Sequence, residues 1–256
     1  MLNNISAEIN KLKRKKIWIF PLIDAIIIVL PLLVLIHQSK TLSAQDAYFK
    51  TYPVLFFCTI ILLSLFAFII FHVDFKNNML KQIFTCSIKP LTYIGSKLFV
   101  IFFMAVTLIY LSAIEIVLFA LFSNGRIQMS WMDIAFICLM SFIDSVLIFS
   151  ALIPVFFVIV LFKKSEVLSV FFTLLYPLLL IMATMGRMNV GFLNNIHPLL
   201  SAGIIHNVLM YTYIPPENYG IQLDPTLNPM TASINIILSA FIFLLLSVKL
   251  VRLEKN

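Results

Sequence analysis

The segment HVDFKNNMLKQIFTCSIKPLTYIGSK, from His72 to Lys97, decides how this chain is organised, because it is a long polar stretch between two apolar runs. Each run is long enough to cross a bilayer, so the segment must lie in water or against a partner. Its polar positions alternate with apolar ones at helical spacing, which predicts a short amphipathic helix that Pro90 ends. A solvated loop is the alternative. The apolar positions are Phe75, Met79, Leu80, Ile83 and Phe84.

The composition excludes a soluble domain. Hydrophobic residues make up 62% of the 256 residues, charged residues make up 11%, and the mean hydropathy is +1.06. These values predict an all-α integral membrane protein. The net charge of +7 does not indicate nucleic-acid binding, because the basic residues cluster at the ends of apolar runs and so report topology. The three cysteines form no disulfide framework.

Apolar runs predict six transmembrane helices within one transmembrane domain that covers residues 1–256. The fourth run exceeds the thickness of a bilayer, so it is expected to tilt, to bend at Pro154 or to protrude. The predicted spans cover about residues 17–36, 53–71, 98–122, 134–162, 167–185 and 230–250.

The distribution of Lys and Arg predicts the orientation. With both termini in the cytoplasm, most of the 18 basic residues lie inside, as positive charge does in membrane proteins. A seventh span over residues 196–214 would move the basic C-terminus outside. Residues 186–229 are therefore predicted to be an extracellular segment in which residues 196–214 form one or two re-entrant helices. The segment 72–97 is predicted to be cytoplasmic.

The N-terminal residues 1–16 carry an apolar stripe at helical spacing, followed by a run of lysine and arginine. This pattern predicts an amphipathic helix in the membrane interface, with its stripe toward the acyl chains and its basic end near anionic headgroups. A disordered basic tail is the alternative. The stripe consists of Leu2, Ile5, Ile9 and Leu12.

No nucleotide-binding or hydrolase motif is present in the sequence. Gly186 and Gly191 have the spacing of a phosphate-binding loop, but Phe192 and Leu193 follow in place of Lys and Ser or Thr. No histidine pair forms a zinc-protease motif, and no serine occupies a nucleophile elbow. The chain is predicted not to be an enzyme and to hold no metal.

Three carboxylates, Asp24, Glu115 and Asp144, lie within the predicted spans. A charged side chain at the centre of a span costs about 2.5 to 3.5 kcal/mol on insertion scales, so each should face the interior of the helix bundle or a wet cavity. They could line the path of a cationic or amphipathic substrate or relay protons. They could equally be hydrogen-bonded structural groups, which is the favoured reading for Asp24.

Three features together resemble a known family. The chain opens with EINKLKRKKIW (Glu8 to Trp18), its central loop carries Asp74, an Asn pair, a small-residue and Pro element and Lys97, and a long outer segment precedes the last span. In these respects the chain resembles the small type-2 ABC exporter permeases of Gram-positive bacteria, which include lantibiotic-immunity permeases and exporters of phenol-soluble modulins. Asp74 departs from the pattern, since relatives more often carry Glu there.

The resemblance implies a permease subunit in the bacterial plasma membrane that exports amphipathic or antimicrobial peptides. It would pair with a second copy of itself or with a sister permease, and two cytoplasmic P-loop ATPase subunits would bind ATP and Mg, so this chain would hold no cofactor. The helix after the second span would dock on the ATPase, and residues 196–214 would close the outer exit. The implied coupling residues are Asp74, Phe75, Lys76, Asn78, Met79, Lys81, Ile83, Phe84 and Pro90.

Within that implied docking, Phe75, Met79, Ile83 and Phe84 would fill a groove on the ATPase, while Asp74, Lys76 and Lys81 would make charged contacts at its rim. Two other classes of function remain open. One is a secondary transporter driven by an ion gradient through Glu115 and Asp144, although no internal repeat supports it. The other is a membrane partner without transport activity, such as a sensor or assembly factor.

Overall fold

A computed structural model describes residues 2–13, 19–38, 42–76, 89–123, 125–185, 198–213 and 229–253. Within these ranges nearly every residue is helical. The helices are α1 (Leu2–Lys13), α2 (Ile19–Gln38), α3 (Ala44–Lys76), α4 (Pro90–Phe122), α5 (Trp131–Ala151), α6 (Ile153–Leu161), α7 (Glu166–Met185), α8 (Pro198–Tyr213) and α9 (Pro229–Leu253). Two short strands, β1 (Leu42–Ser43) and β2 (Ile127–Gln128), complete the fold.

Among the described residues, four segments are long and apolar enough to cross a membrane. The prediction of an all-α membrane protein is thereby confirmed. Two shorter apolar helices, Ile19–Val34 and Glu166–Leu178, correspond to the first and fifth predicted spans. The four long segments are Ala44–Phe75, Pro90–Phe122, Trp131–Leu161 and Pro229–Arg252.

Two helices begin earlier than the apolar runs predicted. The Ser43 hydroxyl accepts a hydrogen bond of 3.0 Å from the backbone N–H of Asp46, so it caps α3 well before the apolar run starts at Pro53. Pro90 opens α4, where its missing N–H costs nothing. Hydropathy detects the apolar part of each helix and misses these polar first turns.

The chain divides into two compact units that share long helices. The first unit comprises Met1–Phe66 and Gly95–Val146, and the second comprises Ala67–Ile94 and Leu147–Asn256. Helices α3, α4 and α5 each contribute residues to both units. The assignment of one transmembrane domain to the whole chain stays a prediction.

In the first unit, two interhelical connections are joined by a parallel strand pair. Leu42 pairs with Ile127, and the Leu42 N–H donates to the Arg126 carbonyl at 2.8 Å. Gly125 has a φ of +80°, a left-handed conformation that favours glycine, and it turns the chain into β2. The connection before α3 and the connection before α5 therefore lie side by side, as expected if both are outside the membrane on the same face.

In the second unit, the long fourth span is broken at Leu152, between α5 and α6, and Pro154 lies in the first turn of α6. In a continuous helix the Val155 N–H would donate to the Ala151 carbonyl, but here it donates to Leu152 at 2.9 Å. The freed Ala151 carbonyl accepts a hydrogen bond of 2.9 Å from the Tyr176 hydroxyl of α7. A backbone group released by the break is thus satisfied by a neighbouring helix, as a membrane interior requires.

Helix α8 occupies the segment that was predicted to be re-entrant, and the structure describes one helix there. It packs on α9 within the second unit, and the side-chain amide of Asn235 donates to the Ser201 hydroxyl at 2.8 Å. The depth of α8 in the bilayer stays a prediction.

We expect Tyr176→Phe to destabilise the protein by about 1 to 3 kcal/mol, because it leaves the buried Ala151 carbonyl without its donor. Tyr110→Phe is the matched control, since the Tyr110 hydroxyl donates to the Cys138 carbonyl at 3.1 Å in an exposed position within an unbroken helix. Thermal unfolding of both variants in detergent would measure the difference. Equal losses in the two variants would contradict the role given to Tyr176.

Candidate coupling site and buried carboxylates

The predicted coupling segment is described only at its two ends. Asp74 and Phe75 lie in the last turn of α3, Lys76 is its final residue, and Pro90 is the first residue of α4. The remaining predicted contact residues lie outside the described residues, so the amphipathic helix between the two ends stays a prediction. These residues are Asn78, Met79, Lys81, Ile83 and Phe84.

A buried hydrogen bond joins the two ends of this segment. The Tyr93 hydroxyl, in the first turn of α4, donates to the Asp74 carboxylate at 3.1 Å. Both side chains are buried, and Asp74 is 0% exposed. The Asp74 carboxylate is thus turned toward Tyr93, and its predicted contact with an ATPase stays a prediction. The hydrogen bond links the helix that enters the coupling segment to the helix that leaves it.

Phe75 is half-buried and stacks within the chain. Its ring lies 6.1 Å from the ring of Phe71, and the Phe71 ring lies 6.4 Å from that of Phe156 in α6. Phe156 in turn contacts Phe149 in α5 at 6.1 Å. A continuous set of aromatic contacts therefore runs from the entrance of the coupling segment to both sides of the break in the fourth span.

A second contact ties the end of α3 to the start of α7. The His72 Nε2 atom lies 3.3 Å from a Glu166 carboxylate oxygen, an ion pair when the imidazole is protonated. The imidazole also stacks on Phe68 with 4.9 Å between ring centres. Glu166 follows the short connection Lys163 to Ser165, so this connection and the end of α3 lie together, in agreement with the predicted orientation of both toward the cytoplasm.

Lys97, which was predicted to open the third span, is completely buried. Its ammonium group lies 3.3 Å from the Glu8 carboxylate of α1, and the other oxygen of Glu8 lies 3.0 Å from Lys11. Sequence reasoning identified Lys97 but missed its partner, and it also missed Tyr93. Nothing in the local pattern points to either pairing, because the partners of Lys97 and Tyr93 lie on other helices.

The three carboxylates of the spans have different surroundings. Asp144 accepts a hydrogen bond of 2.7 Å from the Tyr48 hydroxyl, with both side chains 0% exposed, and the Tyr52 hydroxyl lies near the same carboxylate. This arrangement is the one that a structural carboxylate requires. Asp144 therefore links α5 to the first turns of α3.

Asp24 of α2 lies against α4, one turn before Glu115. Asp24 is completely buried, and one of its oxygens is 3.5 Å from the Ser112 hydroxyl. Within the described parts of the chain, the Asp24 Oδ1 and Glu115 Oε2 atoms are buried without a hydrogen-bond partner. Buried carboxylate oxygens that lack a donor are costly, so this pair has unused capacity to bind a donor or a cation.

We expect Tyr48→Phe to lower stability by about 1 to 3 kcal/mol, because Asp144 loses a buried donor. Asp144→Asn keeps an acceptor oxygen for Tyr48 and should retain most of the stability. Thermal unfolding in detergent would separate the two variants, and transport per folded molecule would test function. A large loss of transport in Asp144→Asn at unchanged stability would show that the charge itself serves transport, against the structural role.

The chain matches the profile of a known protein family. The profile of the ABC-2 family transporter proteins matches residues 4–180, which is more than half of the chain and includes the coupling segment. No curated protein and no solved structure matches the chain. The match favours an ATP-driven permease that works with an ATPase subunit over an ion-driven carrier or a sensor. The chain belongs to the ABC-2 family of transporter proteins and is the membrane permease subunit of an ABC transporter.

Proposed function

We propose that this permease exports amphipathic or antimicrobial peptides, for toxin export or for self-immunity, out of the cell or out of the membrane. The observation that carries the proposal is the family match over residues 4–180, which makes the chain an ABC permease. The peptide class and the outward direction rest on the resemblance to lantibiotic-immunity and phenol-soluble-modulin exporters. The protein would act in the bacterial plasma membrane.

The orientation supported by the contacts has six spans and cytoplasmic termini. The pairing of β1 with β2 is what two outer connections would form. The ion pair between His72 and Glu166 is what two inner connections would form. In this arrangement α8 and its flanking segments lie on the outer side, where they would close the exit.

The coupling segment would transmit the movement of the ATPase. Met79, Ile83 and Phe84 would fill a groove on the ATPase, with Lys76, Asn78 and Lys81 at its rim. Asp74 would contribute to coupling in addition through its buried hydrogen bond with Tyr93, which links the entrance and the exit of the segment. A push on the segment would therefore displace α3 and α4 together at these ends, since a buried polar tie resists separation.

Within the second unit, the aromatic contacts give this displacement a route to the break in the fourth span. Phe75 contacts Phe71, and Phe71 contacts Phe156 directly after the break in the fourth span. Because protein interiors are closely packed, a displaced ring forces the neighbouring ring to move with it. A broken helix can bend at the break with less loss of backbone hydrogen bonding than a continuous one, so α6 is suited to respond.

The substrate path would include Asp24 and Glu115, whose unpartnered oxygens could receive cationic side chains of an amphipathic peptide. Asp144 would contribute mainly to structure. The path would lie between this chain and a second permease, either an identical copy or a sister subunit. Two P-loop ATPase subunits would bind ATP and Mg below the membrane.

We expect the tagged protein, purified in mild detergent, to retain a P-loop ATPase. Ile83→Asp or Phe84→Asp should abolish this association while the permease still inserts, because a buried unpaired charge would oppose docking. Trp131→Asp is the control, since Trp131 is an aromatic residue at a predicted outer position with 87% exposure. Full ATPase recovery with the Ile83 and Phe84 variants would contradict docking through this segment. A permease that purifies alone and still transports would overturn the ATP-driven proposal.

The predicted orientation can be measured by cysteine labelling in a variant without Cys58, Cys86 and Cys138. Gln128→Cys should react from outside the cell with a membrane-impermeant maleimide. Lys164→Cys should react only after the membrane is permeabilised. Both positions are exposed, so accessibility within the protein does not limit either reaction. The reverse pattern would overturn the orientation.

A further inference from the structure

The strongest unexplained feature of the first unit is a buried cation held by the N-terminal helix. Lys97 is 0% exposed, and its ammonium group lies 3.3 Å from the Glu8 carboxylate. Glu8 is itself largely buried, with 9% of its side chain exposed. The second oxygen of Glu8 lies 3.0 Å from Lys11, whose side chain is 37% exposed. The Glu8 carboxylate thus contacts one buried cation, Lys97, and one accessible cation, Lys11.

A lysine in this position depends on its carboxylate. An isolated ammonium group is very costly to bury, whereas an ion pair with further polar contacts offsets much of that cost. The pairing also explains how α1 is attached. Ile9, from the apolar stripe that was predicted to face the acyl chains, is 43% exposed, while Glu8 on the flank of the stripe is turned into the protein. The ion pair between Glu8 and Lys97 therefore helps to fix α1, together with any apolar contacts of this helix.

The position of Lys97 connects this contact to the coupling segment. Tyr93 and Lys97 lie four residues apart in α4, and residues at this spacing share one face of a helix. Tyr93 holds the exit of the coupling segment to Asp74, and Lys97 holds the next turn to α1. Consecutive turns of α4 are therefore each fixed by a buried polar contact.

We propose that Glu8 is a positioning residue of the transport cycle: through Lys97 it fixes α1 to the turn of α4 that carries Lys97, so that α1 and this turn move as one body. The proposal rests on the proposed role of the coupling segment, and it adds the N-terminal helix to the parts that an ATPase would displace. Helix α1 is then a constituent of the coupling apparatus in addition to any contact it makes with the membrane.

Spin labels at Asn10→Cys and Phe99→Cys, in a variant without native cysteines, would measure the attachment of α1 in the permease alone. Both sites are exposed and lie within the first unit. The wild-type pair should give a narrow distance distribution. Glu8→Gln should lose the narrow component. Lys11→Gln is the matched control and should keep it, because the buried pair remains. A broad wild-type distribution, or a narrow one in Glu8→Gln, would overturn the proposal.

Glu8→Gln removes the carboxylate beside a buried cation and lowers stability, so Lys97→Met provides a second variant. It removes the buried cation, while Glu8 keeps its contact with Lys11. It should fold, bind the ATPase and show the same loss of the narrow component. A narrow distribution in folded Lys97→Met would overturn the proposal. Lys97→Arg keeps a cation for Glu8, so it should show the narrow distribution that Lys97→Met loses.

The joint movement of α1 and α4 is tested in the complex of the permease with its ATPase. The distance between the two labels is measured in the nucleotide-free state and in the state trapped by ATP and vanadate. In the wild type this distance should be the same in the two states. A shift of this distance in the wild type would overturn movement as one body. Failure to recover any ATPase would instead count against the proposed function, and the measurement on the permease alone would still test the attachment.

Discussion

The structure depends on the constraint that a polar group within a membrane span is costly unless it finds a partner inside the protein. Apolar surfaces between helices are not directional, and lipid can replace them, whereas a buried carboxylate, ammonium group or free carbonyl needs one particular neighbour. In this chain such neighbours come from other helices: Tyr48 for Asp144, and Glu8 for Lys97. These few contacts specify which helices pair and in which register.

The same constraint explains why the fourth span can be broken without exposing its backbone to lipid. The break before Pro154 releases the Ala151 carbonyl, and Tyr176 satisfies it. The aromatic contacts that approach the break begin at Phe75, next to the coupling segment. The features that allow the helix to bend and the features that could transmit a force to it therefore lie in the same unit.

Much of the architecture could be predicted from the sequence, because hydropathy directly reflects burial in a bilayer. The all-α membrane class is confirmed, and the overlong fourth run is interrupted at Leu152, close to Pro154. Helices α3 and α4 begin before the predicted spans, because the capping Ser43 and the opening Pro90 precede the apolar runs. The pairing of β1 with β2 could not be predicted, since two residues carry no periodicity.

The candidate site was less predictable, because the roles of its residues depend on contacts between distant parts of the chain. Asp74 resembled an exposed charge in a polar segment, yet it is completely buried beside Tyr93. Lys97 was predicted to open the third span, and it is the buried partner of Glu8. Asp24 and Glu115 were identified as intramembrane carboxylates from the sequence, but the contact of Asp24 with Ser112, one turn before Glu115, emerged only with the fold.

The central claim is that an ATPase binds the segment between α3 and α4, and the most direct measurement is site-specific photocrosslinking in intact cells. A photoreactive amino acid would replace Ile83, and a second variant would carry it at Trp131. We predict that position 83 forms an adduct whose partner is identified by mass spectrometry as a P-loop ATPase, and that position 131 does not. An adduct at neither position, or at position 131 alone, would contradict the account.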